Sequence, residues 1–290
     1  MKPAPFEYFS PKTTKAALEL LAAHRSDARI LAGGQSLVPL LNFRIARFKY
    51  LIDINGIPEL AYIKLESDIL RIGALTRYRA IETSPTVADA APLLFEATKW
   101  VGHLPIRTRG TIGGSLAHAD PAAEYAAVML ALDGRVVLQS EKGARTLDAG
   151  DFIQGMFSTA LAADEMLVEV RIPRARNNQV FGFEEFARRP GDLAVMGIAV
   201  RLDFDGDRVE TARIVSLGGQ DGACRIPEAE AEIQSRPLSA ERIENASRAA
   251  SDIDTHADIH ATGALRQHLC GTLVRRVLGR AKEAQPSPRA

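Results

Sequence analysis

Two pairs of adjacent glycines constrain this chain more than any other feature. The first lies in Leu31-Ala32-Gly33-Gly34-Gln35-Ser36-Leu37-Val38. The second, about eighty residues later, lies in Thr111-Ile112-Gly113-Gly114-Ser115. Glycine adopts positive φ without steric cost and lets a ligand approach bare backbone. Successive N–H groups in such turns form an anion-binding concavity. Either pair alone reads as a turn, and neither is a Rossmann fingerprint or carries a Walker lysine. Read together they suggest two loops holding one pyrophosphate. Gln35, Ser36, Thr111 and Ser115 can donate to phosphate oxygens, and no lysine or arginine lies inside either stretch. Backbone and hydroxyl dipoles would carry the anion, which suits a held pyrophosphate better than a phosphate in transfer.

The surrounding chain alternates short strands and helices. Residues 14–24 read as a helix, with Thr14 as its N-cap and Ala17, Leu18, Leu21 and Ala22 on one apolar face. Ala28-Arg29-Ile30-Leu31 and Tyr50-Leu51-Ile52-Asp53-Ile54 read as strands, so 1–56 form a small α/β part with the first glycine pair at a strand end. Pro39 is tolerated only in the first turn of a helix. Runs 61–65 and 69–73 predict a hairpin, 78–83 a helical turn, 88–101 one longer helix and 122–131 another. Strands are expected at 136–138 and 167–172. The polar run 173–179 marks the main boundary, giving domains over 1–175 and 179–283. Beyond it come strands at 180–186, 195–204 and 209–217, with a hairpin at Asp205-Gly206-Asp207. Helices at 227–234, 239–250 and 259–280 follow, so the second domain is α+β. The tail, 284–290, reads as disordered.

Charge and cysteine content exclude several classes. Lys plus Arg and Asp plus Glu both number 36, so the net charge is zero and no basic nucleic-acid surface is expected. Cys224 and Cys270 are the only cysteines. They are too few for an iron–sulfur cluster, lack zinc spacing, and read as buried free thiols in a reducing compartment. No signal peptide and no apolar run long enough to span a bilayer are present, so a cytoplasmic location is expected.

Ala32-Gly33-Gly34-Gln35-Ser36-Leu37-Val38-Pro39 resembles the first FAD loop of the FAD-binding medium subunits of molybdenum hydroxylases, the xanthine and carbon monoxide dehydrogenase family. Arg107-Thr108-Arg109-Gly110-Thr111-Ile112-Gly113-Gly114-Ser115-Leu116-Ala117-His118-Ala119-Asp120-Pro121 resembles their second. Asp53, Ile72-Gly73-Ala74-Leu75-Thr76 and Gly191-Asp192 also match, and the likeness leans toward flavin subunits of N-heterocycle dehydrogenases such as nicotine dehydrogenase. It implies an α+β fold: a two-part FAD-binding domain of the vanillyl-alcohol-oxidase (PCMH) type, then a smaller α+β domain. It implies that Leu31 to Val38 and Thr111 to Ser115 hold the pyrophosphate of non-covalent FAD, that Glu124 lies on its adenosine side, and that Leu161 touches the flavin or its neighbours. Ser115 replaces a common Asn, Leu193 a Tyr of some relatives, Ala187 a Lys, and Val101 a Phe.

The resemblance implies an electron-transfer subunit. A large partner would carry molybdopterin and a small partner two [2Fe–2S] clusters, in a heterotrimer or its dimer. Electrons would pass through FAD to an external acceptor, with no catalytic side chain and no metal in this chain. Two alternatives stay open. A stand-alone flavoprotein oxidising a small molecule would use His118 and Asp120 as acid and base. A non-redox nucleotide-binding assembly protein would keep only the loops. His103 and Tyr125 read as structural or as packing on a cofactor.

Overall fold

Three parallel strands open the fold, in the order Glu7–Phe9, Tyr50–Asp53, Ala28–Leu31. The computed structural model describes residues 2–285. Helix Thr14–His24 lays Ala17, Leu18 and Leu21 on this sheet. Its cap is Thr13, whose hydroxyl accepts from Ala16 N–H at 3.2 Å; the expected cap, Thr14, instead bonds Glu59. Parallel pairing forces a crossover between Leu31 and Tyr50. The first glycine pair begins that crossover, at the carboxyl end of its strand.

A five-stranded antiparallel sheet follows, ordered Ile63–Glu66, Ile69–Gly73, Met166–Pro173, Arg135–Ser140, Gly143–Asp148. The edge strand Gly143–Asp148 escaped the sequence reading because it is almost wholly exposed and carries no apolar alternation. Between Gly73 and Arg135 the chain leaves the sheet for a block of short helices. The single helix expected over 88–101 is two, Pro85–Ala90 and Pro92–Thr98. Pro92 forces this: it disfavours helical backbone at Ala91, which sits at φ −145°.

The C-terminal sheet runs Gln179–Phe186, Met196–Asp205, Arg208–Leu217, Cys224–Arg225, all antiparallel. Its central strand is buried on both faces. Ile198, Val200, Leu202 and Ile214 pack on the helices Ala240–Ser251 and Gly263–Glu283. Phe183, Ala199, Val215 and Leu217 join the core built by helices Pro92–Thr98 and Glu124–Ala131. Cys270 is a buried free thiol, and Cys224 a half-buried one. Ala284 and Gln285 close the last helix, and the rest of the expected disordered tail lies outside the described residues. No helix among the described residues is long and apolar enough to cross a membrane.

Candidate cofactor-binding site

The first glycine stretch is a turn with unused donors. Gly34 takes φ +73°, a conformation that favours glycine. Among the described residues, the N–H groups of Gly33, Gly34, Gln35, Ser36 and Leu37 find no acceptor. The Gln35 side chain bends back to donate to Gly33 O at 3.1 Å. Ser36 and Val38 are exposed, and Leu31, Ala32 and Leu37 half-buried. Pro39 is the third residue of helix Leu37–Asn42, where its missing N–H costs nothing.

The second stretch differs from its expected form. It is not a loop but the first turns of helix Ile112–His118, and neither of its glycines has positive φ. Thr111 caps the helix, accepting from Gly114 N–H at 3.2 Å. Ile112 and Gly113 donate to Thr76 O and Ala74 O, and Ser115 to Thr111 O. Its amides from Ile112 to Ser115 are therefore occupied. It offers the hydroxyl of half-buried Ser115, beside the Tyr78 phenol, and a smooth glycine surface. Gly113 is glycine for packing: a Cβ there would lie 2.5 Å from Ala74 Cβ.

The two stretches touch. A Cβ on Gly33 would strike the Arg109 carbonyl oxygen and lie 2.8 Å from Gly110 Cα. A Cβ on Gly114 would come within 3.7 Å of Ala32 Cβ. Five consecutive bare amides, pressed edge to edge against a glycine-faced helix start, fit a bound pyrophosphate. Side chains at Gly33 or Gly34 would fill or distort this cradle.

Glu124 opens helix Glu124–Ala131 and is 7% exposed. Burial, with help from Asp120, pushes its carboxyl well above the usual range. Glu185 on the C-terminal sheet is buried too, and neither of its oxygens finds a hydrogen-bond partner. Burial, then Glu124, pushes it up as well. The pair holds at least one proton at neutral pH. Nothing in the local sequence signals Glu185 as Glu124's neighbour.

Leu161 sits half-buried just past the ribbon Ile153–Gly155/Ser158–Thr159, which packs beside helix Ile112–His118. The Phe157 ring lies 5.0 Å from His118, and burial holds the half-buried imidazole below its ordinary pKa. Asp120 accepts from Ala122 N–H at 2.9 Å and shapes the turn; no hydrogen bond joins it to His118 among the described residues. Tyr125 belongs to the core, its hydroxyl 3.0 Å from Thr98 Oγ1. Val101 is also in the core. The backbone of Gly191, at φ +83°, covers the His103 ring so closely that a Cβ would collide with it. His103 therefore seats the loop that presents Leu193, 67% exposed, and half-buried Ala187.

The chain matches two protein families end to end. The FAD binding domain in molybdopterin dehydrogenase matches residues 4–175, and the CO dehydrogenase flavoprotein C-terminal domain matches 181–281. It is 43% identical to the 6-hydroxypseudooxynicotine dehydrogenase complex subunit alpha of Paenarthrobacter nicotinovorans, covering 97% of this chain and 96% of that one. It is 39% identical to the nicotine 6-hydroxylase medium subunit of the same organism, over 96% and 98%. A chain of carbon monoxide dehydrogenase from Hydrogenophaga pseudoflava superposes with a TM-score of 0.96 at 36% identity, covering 99% of this chain and 100% of that one.

Proposed function

The chain belongs to the FAD-binding medium subunits of the molybdenum hydroxylase family, and from that premise we propose that Leu31 to Val38 and Thr111 to Ser115 hold the pyrophosphate of its FAD. Bound FAD supplies the electron-carrying chemistry of this oxidoreductase subunit, linking partner-subunit iron–sulfur clusters to an external acceptor. The observation that carries the site is the run of unpaired amides from Gly33 to Leu37. Those amides donate to phosphate oxygens, and Ser36 and Ser115 add hydroxyls from the two sides. Thr111 acts one step back, by capping the helix that presents Ser115.

Glu124 places a buried carboxyl, pushed up to about 7 by its burial, on the adenosine side. Leu161 and Leu193 offer apolar surface to the flavin, and exposed Leu193 lies on the side open to a partner or acceptor. We assign a heterotrimer, or its dimer, with a large molybdopterin subunit and a small [2Fe–2S] subunit. Two cysteines cannot hold such clusters here, and the thiols, unpaired in the fold, support a reducing compartment, the cytoplasm. The similarity to nicotine-pathway subunits supports an N-heterocycle or a related amine as substrate of the whole enzyme.

The test is reconstitution. The full chain, stripped of flavin, should take up one FAD and regain the visible flavin band, and should copurify with both partners from its native host. A chain that binds no FAD would sink the cofactor reading. A chain that isolates alone and oxidises substrate without molybdenum or iron would sink the subunit reading.

A further inference from the structure

The cradle works only if its two halves keep a fixed gap, and neither glycine stretch contains a side chain that spans it. Two residues outside both stretches do. Asn55 Nδ2 donates to Ala32 O at 2.8 Å, and Asn55 Oδ1 accepts from Arg77 Nη2 at 2.5 Å. Arg77 Nη1 donates to Arg109 O, two residues before Thr111. A continuous chain of hydrogen bonds thus runs from the first stretch, through two side chains, to the segment that launches the second.

Both residues are themselves held. Asp53 accepts from Asn55 N–H at 2.9 Å and from Asn55 Nδ2 at 2.6 Å, and the Tyr8 hydroxyl fixes Asp53. The backbone of Arg77 pairs with Thr111 across an antiparallel bridge. Arg77 makes no ion pair with a carboxylate among the described residues, so its guanidinium is not drawn elsewhere. The planar fork places two donors on two acceptors from different segments, a geometry one ammonium does not reproduce. Gly33 packs on the Arg109–Gly110 backbone with no spare room, so a shift of either segment is felt directly at the bare amides.

We infer that Asn55 and Arg77 form a bracket that sets the spacing of the two pyrophosphate-holding stretches, and are positioning residues for FAD. This rests on the FAD reading above. Asn55 is exposed, so Asn55→Ala removes the bracket without emptying any core. The test titrates FAD and ADP into the flavin-free full chain for wild type, Asn55→Ala, Arg77→Gln and the double variant, with unfolding temperature measured alongside. Each single variant should weaken both ligands by about tenfold, the worth of one charge-assisted hydrogen bond. Asn55→Ala should unfold near the wild-type temperature. The double variant should be no weaker than the weaker single, because both act through one link. Arg77→Lys should restore at most part of the affinity. Wild-type affinity in both single variants, or losses that add in the double, would overturn the bracket. A wild-type chain that binds neither FAD nor ADP would overturn the cofactor reading itself.

Discussion

Single residues decide whether the cradle exists. Gly34 needs positive φ, and Gly33 needs the space that the Arg109 carbonyl would deny a Cβ. Gly34→Val and Gly33→Ala should therefore each abolish FAD retention, measured as flavin-to-protein ratio after gel filtration. Gly114→Val should be milder, because its φ is helical and its nearest obstacle is its own cap hydroxyl at 2.8 Å. Glu185 carries a second prediction. Its folded pKa is raised by burial and by Glu124. The folded flavin-free chain then holds a proton that the unfolded chain releases above the ordinary carboxylate range. Stability from this group is full at acid pH and falls as pH rises toward the raised value. Unfolding temperature should drop from about pH 4.5 to about pH 9, and Glu185→Gln should flatten that drop. An unchanged slope in the variant would exclude Glu185 as its source.

At the scale of elements, the second glycine stretch shows why local reading fell short. Gly-Gly suggests a turn, yet Thr111 supplies an N-cap, and the two glycines ride inside the helix it starts. Thr111→Val should cost about 1 kcal/mol of stability, the usual value of a lost cap. It should also loosen FAD, because Ser115 loses its fixed position; thermal unfolding and FAD titration check the two effects separately. The helix pair meeting at Ala91–Pro92 teaches a related lesson: apolar spacing continued through a proline whose steric demand ends the helix.

At the scale of the whole molecule, one core runs through both matched families. The C-terminal sheet lends Phe183, Ala199, Val215 and Leu217 to the helices Pro92–Thr98 and Glu124–Ala131. Asp133 adds a polar seam, accepting from Arg201 at 2.7 Å and from Arg213 at 3.2 Å. A chain ending at residue 178 would expose this apolar helix face to water. It should aggregate or stay partly unfolded by size-exclusion and circular dichroism, whereas the full chain should melt in one transition. Two separate transitions in the full chain would refute the shared core.

The sequence by itself determined the glycine stretches, most strands and helices, the fold class and the FAD-binding family. These signals are local: periodicity, turn chemistry and a motif that each sit within a few residues. Only the tertiary structure decided what the motifs touch. It placed Gly33 on the Arg109 backbone, joined Asn55 to Arg77, set Glu185 near Glu124 and tied Ile112 and Gly113 to Thr76 and Ala74. Each of these pairs residues on separate elements or depends on such packing. Their contact depends on how sheets and helices pack against one another, and no spacing along the chain encodes it.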